Sequence, residues 1–435
     1  MKQKIIKLKN GGILIYEKSS LNNATAVEVG FKIGSFNEKV KGSAHFLEHM
    51  LFKKTKNRDN EKLENDRSEI AFLNATTGAD YVLITFYRSN RLILQAVNFA
   101  EDVLVNSLLD DEFMQSERKV IINELEICKD AEKRDIYVKN LRQAQSNTIF
   151  SSDIVGETEK NINKITFQDL ANFKNEYFNG NNFVISVVSK LKFSKIRQMV
   201  KIFEKNIKFD PNFVAKSSHY DNSLIDKPSS LKIINNDQEK VTTLISLKIN
   251  YGELDLINNL NYSFLSKFFS GLQGDLFLKL RNRGLIYNLH SEYVCLKNNS
   301  LLNISFDSFG EKIQEIVDIF SKTIQNIIDN GIEQNYIDSF KRNLDLFNDE
   351  KMPKRITTIV HDNLMDIIYY GKIINQTKTQ KKKMLNNVNN GEIVKILKEI
   401  FNRNNKIFVS IMGNIEKCDL LGLNYFKDKF LITKE

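Results

Sequence analysis

The residues best suited to chemistry lie in one short segment of the 435-residue chain, residues 42–55, with the sequence GSAHFLEHMLFKKT. If the segment is helical, His45 and His49 lie one turn apart on one face, where both imidazoles can bind the same tetrahedral zinc. Glu48 directly precedes His49, and its carboxylate can take a proton from a water molecule instead of competing as a ligand. H-x-x-E-H is the inverted form of the H-E-x-x-H motif of zinc proteases. The segment therefore predicts a zinc-dependent hydrolase.

The alternative interpretation is that two histidines and an acid fall together by chance on a solvated helix face. Only five histidines occur in the whole chain. The apolar neighbours that indicate a buried helix are Phe46, Leu47, Met50, Leu51 and Phe52. An unpaired acid and two imidazoles are costly in such surroundings, which favours the metal site.

A catalytic zinc needs a third protein ligand from a separate element. In residues 116–130, SERKVIINELEICKD, Glu117 and Glu124 are seven residues apart and face the same way along a helix. The apolar residues expected to dock this helix on the first one are Val120, Ile121 and Ile127. We predict that Glu124 is the ligand and that Glu117 steadies the site. Spacing alone leaves Glu126 as an alternative ligand.

These residues resemble the pitrilysin-type (M16) zinc metallopeptidases, in particular short-chain members such as bacterial processing peptidases and the catalytic subunit of the mitochondrial processing peptidase. The resemblance covers nearly the whole chain. HFLEHMLF resembles the metal helix of the family, and ERKVIINE resembles the downstream segment in which an acid precedes the ligand glutamate by seven residues. This pattern favours Glu124 over Glu126.

Residues 73–87, LNATTGADYVLITFY, resemble the strand that follows the metal helix in the family. Asn74 and Ala75 occupy the positions at which the strand edge pairs with the extended substrate backbone. The resemblance therefore implies that both contact substrate. The alternative is that Asn74 is an ordinary turn residue before an edge strand.

Residues 274–287, GDLFLKLRNRGLIY, resemble a second family segment, whose arginine and tyrosine contact the substrate and the transition state. The resemblance implies that Arg281 holds the substrate backbone and that Tyr287 donates a hydrogen bond to the developing oxyanion. Arg281 and Tyr287 are six residues apart where the family usually has seven, so Arg283 is the alternative. A helix that ends at Gly284 would also favour cations through its dipole alone.

The order of elements suggests a duplicated domain. The strand expected at residues 241–250 resembles the one at 24–33, and 404–413 resembles 181–190. Helical periodicity is predicted at residues 62–72, 92–109, 111–130, 135–144, 193–205, 310–329, 333–349 and 356–370. We predict an α+β fold of two similar domains, each an antiparallel β-sheet packed with helices, as the resemblance also implies.

The predicted domains are a zinc-binding catalytic domain at residues 1–207 and a domain without zinc at 231–435, which carries the Arg/Tyr segment. Residues 208–230 lose periodicity and hold two of the three prolines, Pro211 and Pro228, which indicates a linker.

Composition indicates an ordinary globular protein, with 42% hydrophobic and 27% charged residues. The lysines behind the formal charge of +9 are spread through the chain, so we do not expect a nucleic-acid partner. No apolar run reaches the ~18 residues of a membrane span, and no signal-peptide core follows the N-terminus. Three widely spaced cysteines, Cys128, Cys295 and Cys418, imply no disulfide framework. We expect a cytoplasmic protein.

The expected function is a zinc endopeptidase with one zinc per chain, in which Glu48 takes the proton of the attacking water. The resemblance implies that the second domain facing each zinc belongs to a partner subunit. Because both motifs occur in one chain, we expect a homodimer, with a heterodimer as the alternative. A non-catalytic subunit is the remaining alternative, and Glu48 argues against it because a structural zinc needs no base. One departure from the family is Lys54, where a glycine usually precedes Thr55.

Overall fold

The structure, a computed structural model, describes residues 3–19, 23–130, 132–144, 154–214, 225–235, 237–250, 256–271, 274–295, 300–348, 355–373, 378–414 and 421–433. The strands are β1 (Gln3–Lys7), β2 (Ile13–Lys18), β3 (Ala24–Phe31), β4 (Phe72–Thr77), β5 (Val82–Ser89), β6 (Phe183–Ser189), β7 (Ser230–Asn235), β8 (Val241–Ile249), β9 (Leu289–Cys295), β10 (Ser300–Ser308) and β11 (Ile407–Gly413).

The helices of the first half are α1 (Ser43–Leu51), α2 (Asn60–Ser68), α3 (Ile93–Asn106), α4 (Asp111–Asp130), α5 (Glu132–Ala144), α6 (Glu159–Lys164), α7 (Phe167–Tyr177) and α8 (Phe193–Asn206). Those of the second half are α9 (Leu256–Ser270), α10 (Asp275–Arg281), α11 (Ile313–Asn330), α12 (Gln334–Asn348), α13 (Ile356–Tyr370), α14 (Lys378–Asn387), α15 (Asn390–Ile400) and α16 (Leu423–Phe430). None of these described helices is both long and apolar enough to cross a bilayer.

The chain forms two compact units, and each unit draws on both halves of the sequence. The first unit comprises Met1–Asp130, Ser152–His219 and Pro353–Ile374; the second comprises Ala131–Ser151, Tyr220–Met352 and Asn375–Glu435. The contiguous ranges predicted above differ from this division because α5 packs on the sheet of the second unit and α13 on that of the first. Within the predicted linker, residues 215–224 lie outside the described residues.

The sheet of the first unit has the strand order β1-β2-β6-β3-β5-β4. The sheet starts with a hairpin, in which β1 pairs antiparallel with β2 and Leu8 N–H donates to the Gly12 carbonyl across the turn (2.7 Å). The central strands β3 and β6 are almost wholly buried, as expected of strands that are covered on both faces. The segment expected to form one strand after α1 is a hairpin of β4 and β5, and β4 lies at the sheet edge.

The sheet of the second unit has the order β7-β11-β8-β10-β9, which repeats the pattern β2-β6-β3-β5-β4. The predicted duplication is thus present in the strand order. Both predicted antiparallel sheets contain one parallel pair, β2 with β6 in the first and β7 with β11 in the second. Each of these pairs joins strands far apart in sequence, and parallel strands require a long crossover connection.

Helices cover both faces of the first sheet. On one face, α1, α3, α4, α7 and α8 contribute to the main apolar core. On the other face, Leu364 and Ile367 of α13 pack against Ile15, Leu83 and Val184. Helix α1 is therefore held between the sheet and α4 by the burial of apolar side chains from all three in the main core.

Polar contacts also hold α13 to the first sheet. The His361 Nδ1 atom lies 3.1 Å from Oε1 of the buried Glu28, which also accepts a hydrogen bond from Thr85 Oγ1 (2.7 Å). Asn363 Nδ2 donates to Glu17 Oε2 at 2.8 Å. His361, which carried no predicted role, thus joins a buried carboxylate to a segment more than 300 residues away in sequence.

The His361–Glu28 contact predicts a pH-dependent contribution to stability. Its hydrogen bond to Glu28 raises the pKa of His361 above the ordinary value, although partial burial opposes this. Folding therefore favours the protonated form, so the contribution is complete below about pH 6.5 and is lost as the pH rises through the higher folded value. We expect His361→Gln to lower the urea midpoint more at about pH 6 than at about pH 9. The matched background is Glu28→Gln, in which the pH dependence of this difference should vanish; equal losses at both pH values in the native background would contradict it.

Candidate metal centre

Helix α1 presents the metal-binding motif, and its start is held by a buried acid. Gly42 precedes the helix with φ of 90°, a left-handed conformation that glycine adopts without strain. Glu38 accepts hydrogen bonds from the backbone N–H groups of Gly42 (2.7 Å) and Ala44 (3.0 Å). These are donors that the first turn of a helix leaves unpaired. The apolar residues that anchor the helix in the core are Phe46, Leu47, Met50 and Leu51.

Helix α4 docks beside α1, but through residues that differ from those predicted. Ile121 is buried as expected, whereas Val120 and Ile127 are 41% and 69% exposed. The buried side of α4 is formed by Met114, Ile121 and Leu125. Helical spacing puts Glu117 and Glu124 at the margin of that side, and Val120 and Ile127 beyond it. The two glutamates therefore reach α1 from the edge of the interface.

His45, His49 and Glu124 converge on one point. Their candidate ligand atoms all lie within 4.8 Å of one another. Glu124 Oε2 is 3.6 Å from His45 Nε2 and 3.5 Å from His49 Nε2, and the imidazole centroids are 4.7 Å apart. The side chain of Glu124 is 40% exposed, so the cluster opens to solvent on one side. Glu126, the alternative ligand, is exposed and lies outside this cluster.

His49 is oriented by a second acid of α4. Its Nδ1 atom lies 3.0 Å from Glu117 Oε2, and Glu117 is buried. A carboxylate at this nitrogen favours the tautomer with the proton on Nδ1, which leaves the Nε2 lone pair toward Glu124. Burial acts to lower the pKa of His49, but the bond to Glu117 and the charges of Glu124 and Glu48 raise it above the ordinary value. Burial acts to raise the pKa of Glu117, but hydrogen bonds from His49 and Lys53 hold it below its usual range.

His45 differs from His49 in its surroundings. Burial, together with the neighbouring His49, lowers its pKa to about 4. Its Nδ1 atom is buried and finds no hydrogen-bond partner within the described part of the chain. The ring is therefore neutral at physiological pH, which is the form that binds a metal.

Glu48 is held apart from the three converging side chains. Its Oε2 atom accepts a hydrogen bond from Thr77 Oγ1 (2.8 Å), at the end of β4. Burial raises the pKa of Glu48, and the nearby Glu124 adds to this, although Thr77 and His49 act in the opposite direction. Thr77 was not predicted, because nothing in its local sequence shows that β4 brings it against α1.

The donor set fits zinc. Two imidazoles and one carboxylate are the ligands of a common class of catalytic zinc sites, in which a fourth position stays open. His45 and His49 both direct their Nε2 atoms at Glu124. A nearby carboxylate outside the cluster, Glu48, is available as a base. The arrangement can therefore hold one divalent ion and move a proton beside it.

Lys54 causes no distortion where the family usually has glycine. Among the described residues, Glu157 is the only one other than glycine with a positive φ. Lys54 is therefore in an ordinary backbone conformation, and its ammonium lies 3.6 Å from Asp110. The following turn is held by the buried Asp102, which accepts hydrogen bonds from Thr55 Oγ1 (2.6 Å) and Arg58 Nη1 (2.5 Å).

Asn74 and Ala75 lie on the edge strand β4, where Asn74 is exposed and Ala75 half-buried. Among the described strands, only β5 pairs with β4, so the outer backbone groups of β4 face no strand there. This geometry is compatible with the predicted pairing to an extended peptide. It argues against Asn74 as a turn residue, since Asn74 lies in the middle of the strand.

Arg281 and Tyr287 lie together in the second unit. Helix α10 ends in a Schellman motif, in which Leu285 N–H donates to the Leu280 carbonyl (3.1 Å) and Gly284 N–H to that of Arg281 (2.9 Å). The guanidinium of Arg281 lies 5.4 Å from the ring centroid of Tyr287, whose side chain is 75% exposed. Arg283, the alternative, is 3.9 Å from Glu315 instead. The cap thus brings Arg281, not Arg283, to the tyrosine.

The comparisons with known proteins agree with this geometry. Residues 13–154 match the family model described as insulinase (peptidase family M16), and residues 164–344 match the one described as peptidase M16 inactive domain. The beta subunit of the mouse mitochondrial-processing peptidase is 29% identical over 198 residues, which are 45% of this chain and 40% of that protein. The match thus spans less than half the length of that relative. An uncharacterized zinc protease of Bacillus subtilis is 22% identical over 352 residues, 77% of this chain and 81% of the relative.

Solved structures with the same fold have low sequence identity. A protease from Helicobacter pylori has a TM-score of 0.80 at 17% identity, and the match covers 95% of this chain and 99% of that one. A peptidase M16 inactive domain from Pseudomonas fluorescens has a TM-score of 0.78 at 14% identity, with 95% and 98% covered. These likenesses establish the α+β fold of two sheets packed with helices.

The choice between the two acids of α4 can be tested by zinc binding. We expect Glu124→Gln to raise the zinc dissociation constant by roughly 100-fold or more, because it replaces the charged member of three converging donors by a neutral amide. Glu126→Gln, two residues away on the same helix, should leave it unchanged. Chelator competition on the purified variants measures both values. A larger loss from Glu126→Gln would reverse the assignment.

Proposed function

The chain belongs to the M16 peptidase family, and from this premise we propose that it is a zinc-dependent endopeptidase that cleaves peptides or unfolded polypeptides. The observation that carries the proposal is the convergence of His45, His49 and Glu124 beside a carboxylate, Glu48, that is not one of the three. A purely structural zinc would be enclosed by four protein ligands and would need no such base.

In the proposed reaction, the bound zinc supplies a Lewis acid that polarises the scissile carbonyl and makes water nucleophilic near neutral pH. His45, His49 and Glu124 would hold the ion. Glu48 takes the proton of the attacking water on its carboxylate and then donates it to the nitrogen of the leaving amine. Because Glu48 directly precedes His49 in sequence, its carboxylate would lie near the bound ion without being one of its ligands.

Thr77 supports the proton transfer by holding Glu48. Its hydroxyl donates to Oε2, which leaves Oε1 of the same carboxylate for the proton of water. The raised pKa of Glu48, caused mainly by burial, brings the group closer to the working pH. A base whose pKa approaches the working pH can both accept and return a proton.

The substrate is proposed to bind as an extended strand along β4. Asn74 and Ala75 would contact its backbone, and the exposed edge of β4 supports this role. Arg281 is proposed to hold the substrate backbone and Tyr287 to stabilise the oxyanion. Their support is the Schellman cap, which keeps the guanidinium against the exposed tyrosine ring.

The word "inactive" in the second family model does not weigh against catalysis by this chain. That model matches residues 164–344, whereas the match to residues 13–154 contains the whole H-x-x-E-H segment.

A partner-dependent subunit of a heterodimeric processing peptidase is the alternative function, favoured by the beta-subunit name of the mouse relative. A cytoplasmic location also remains a proposal, supported by the three widely spaced cysteines.

The central test is Glu48→Gln. The variant should bind one zinc per chain and lose roughly 100-fold or more in turnover, the usual share of general acid–base catalysis. Metal content by mass spectrometry and cleavage of a mixed peptide library measure the two effects on wild type, Glu48→Gln and the control Glu126→Gln. Near-normal turnover in a fully metallated Glu48→Gln variant would disprove the role of Glu48. If wild type binds zinc but cuts nothing, the heterodimer alternative is favoured.

The assembly is proposed to be a homodimer that encloses the substrate, because one chain carries both the zinc motif and the Arg/Tyr pair. Light scattering on the purified chain should give twice the chain mass of 50.4 kDa, and the same fraction should cleave peptides. A monomer that is inactive until a related chain is added would replace the homodimer by a heterodimer.

A further inference from the structure

We infer that Lys53 is a positioning residue that acts on the metal centre through Glu117 and His49. The inference rests on the proposed function, since it concerns the same zinc site. Lys53 Nζ lies 2.6 Å from Glu117 Oε1, and Glu117 Oε2 lies 3.0 Å from His49 Nδ1. The two oxygens of one carboxylate are thus divided between the lysine and the histidine.

The position of Lys53 in the chain explains why it can do this. Helix α1 ends at Leu51, and Lys53 N–H donates to the Met50 carbonyl at 3.3 Å, so Lys53 lies just past the last turn. It is four residues after His49 and reaches α4 from the same side. Lys53 and His49 therefore both contact Glu117 from the C-terminal end of α1.

The contacts of Glu117 also fix the position of Glu124, the third candidate ligand. Glu117 and Glu124 lie on α4 two turns apart, so fixing Glu117 limits both rotation and sliding of α4 along α1. With α4 in this position, Glu124 Oε2 lies at similar distances from His45 and His49, 3.6 Å and 3.5 Å. A looser Glu117 would disturb the orientation of one imidazole and the position of the carboxylate together.

His45 offers no substitute for this control. Its Nδ1 atom has no hydrogen-bond partner in the described residues, so the packing of its ring alone sets its orientation. The oriented imidazole is that of His49, and its orientation depends on which way the Glu117 carboxylate faces. By binding one oxygen of Glu117, Lys53 prevents the carboxylate from rotating and keeps the other oxygen directed at His49.

An ordinary salt bridge would stabilise the fold without affecting metal affinity, so the test must separate the two roles. The side chain of Glu117 is 9% exposed, and removing Lys53 leaves a buried charge uncompensated, which also costs stability. Thermal stability alone would therefore not discriminate. The zinc dissociation constant discriminates between the two roles. Only a positioning role predicts that loss of Lys53 changes this constant more than loss of another lysine with the same charge.

The experiment compares zinc dissociation constants of wild type, Lys53→Met, Lys53→Arg and Lys54→Met by chelator competition on the full chain. Lys54→Met is the matched control: it removes the same charge one residue away, where the partner is the more exposed Asp110. We expect Lys53→Met to weaken zinc binding roughly tenfold, the lower end for residues that orient metal ligands. Lys53→Arg and Lys54→Met should stay within about twofold of wild type.

A second variant keeps the test decisive if Lys53→Met folds poorly. The double variant Lys53→Met/Glu117→Gln leaves no uncompensated charge, and its reference is Glu117→Gln alone. Because Lys53 acts only through Glu117, adding Lys53→Met to Glu117→Gln should leave the zinc dissociation constant unchanged. Zinc affinity of Lys53→Met equal to that of Lys54→Met, or a further loss of zinc affinity in the double variant relative to Glu117→Gln, would overturn the role of Lys53 and leave the peptidase proposal intact. A wild-type chain that fails to bind zinc at all would instead overturn the proposed function.

Discussion

The contact between α1 and α4 is the constraint on which the site depends. Helix α1 carries two imidazoles and a carboxylate into a largely apolar environment, where each is costly unless it finds a partner. Helix α4 supplies the partners of the imidazoles at its margin, with Glu117 on His49 and Glu124 between both rings, and Thr77 of β4 holds the carboxylate of Glu48. The same docking therefore buries α1 and brings the three candidate metal ligands together.

The rest of the first unit serves to hold this helix pair against the sheet. The apolar face of α1 packs in the core, Glu38 satisfies its first turn, and Asp102 fixes the loop that follows it. On the far face of the sheet, α13 packs on strands that it follows in sequence by some hundreds of residues. The position of the metal motif therefore depends on parts of the chain that lie far outside the motif.

Several features could be predicted from the sequence because they depend on local geometry. The extent of α4 follows from its periodicity, since the helix covers Asp111–Asp130, the range predicted for it. The duplication was visible in paired strand patterns. The apolar residues of α4 were assigned wrongly at Val120 and Ile127, because spacing shows which residues share a face but not which face meets the neighbour.

The sequence by itself determined the relative placement of His45, Glu48 and His49, since residues one turn apart on a helix are neighbours wherever that helix lies. It also determined that Glu117 and Glu124 share a side of α4. Only the tertiary structure decided that Thr77 holds Glu48, that Lys53 shares Glu117 with His49, and that α5 and α13 each pack on the sheet formed mainly by the other half of the chain. These contacts join elements that the chain alone does not bring together, so they depend on how whole faces pack and not on any local pattern.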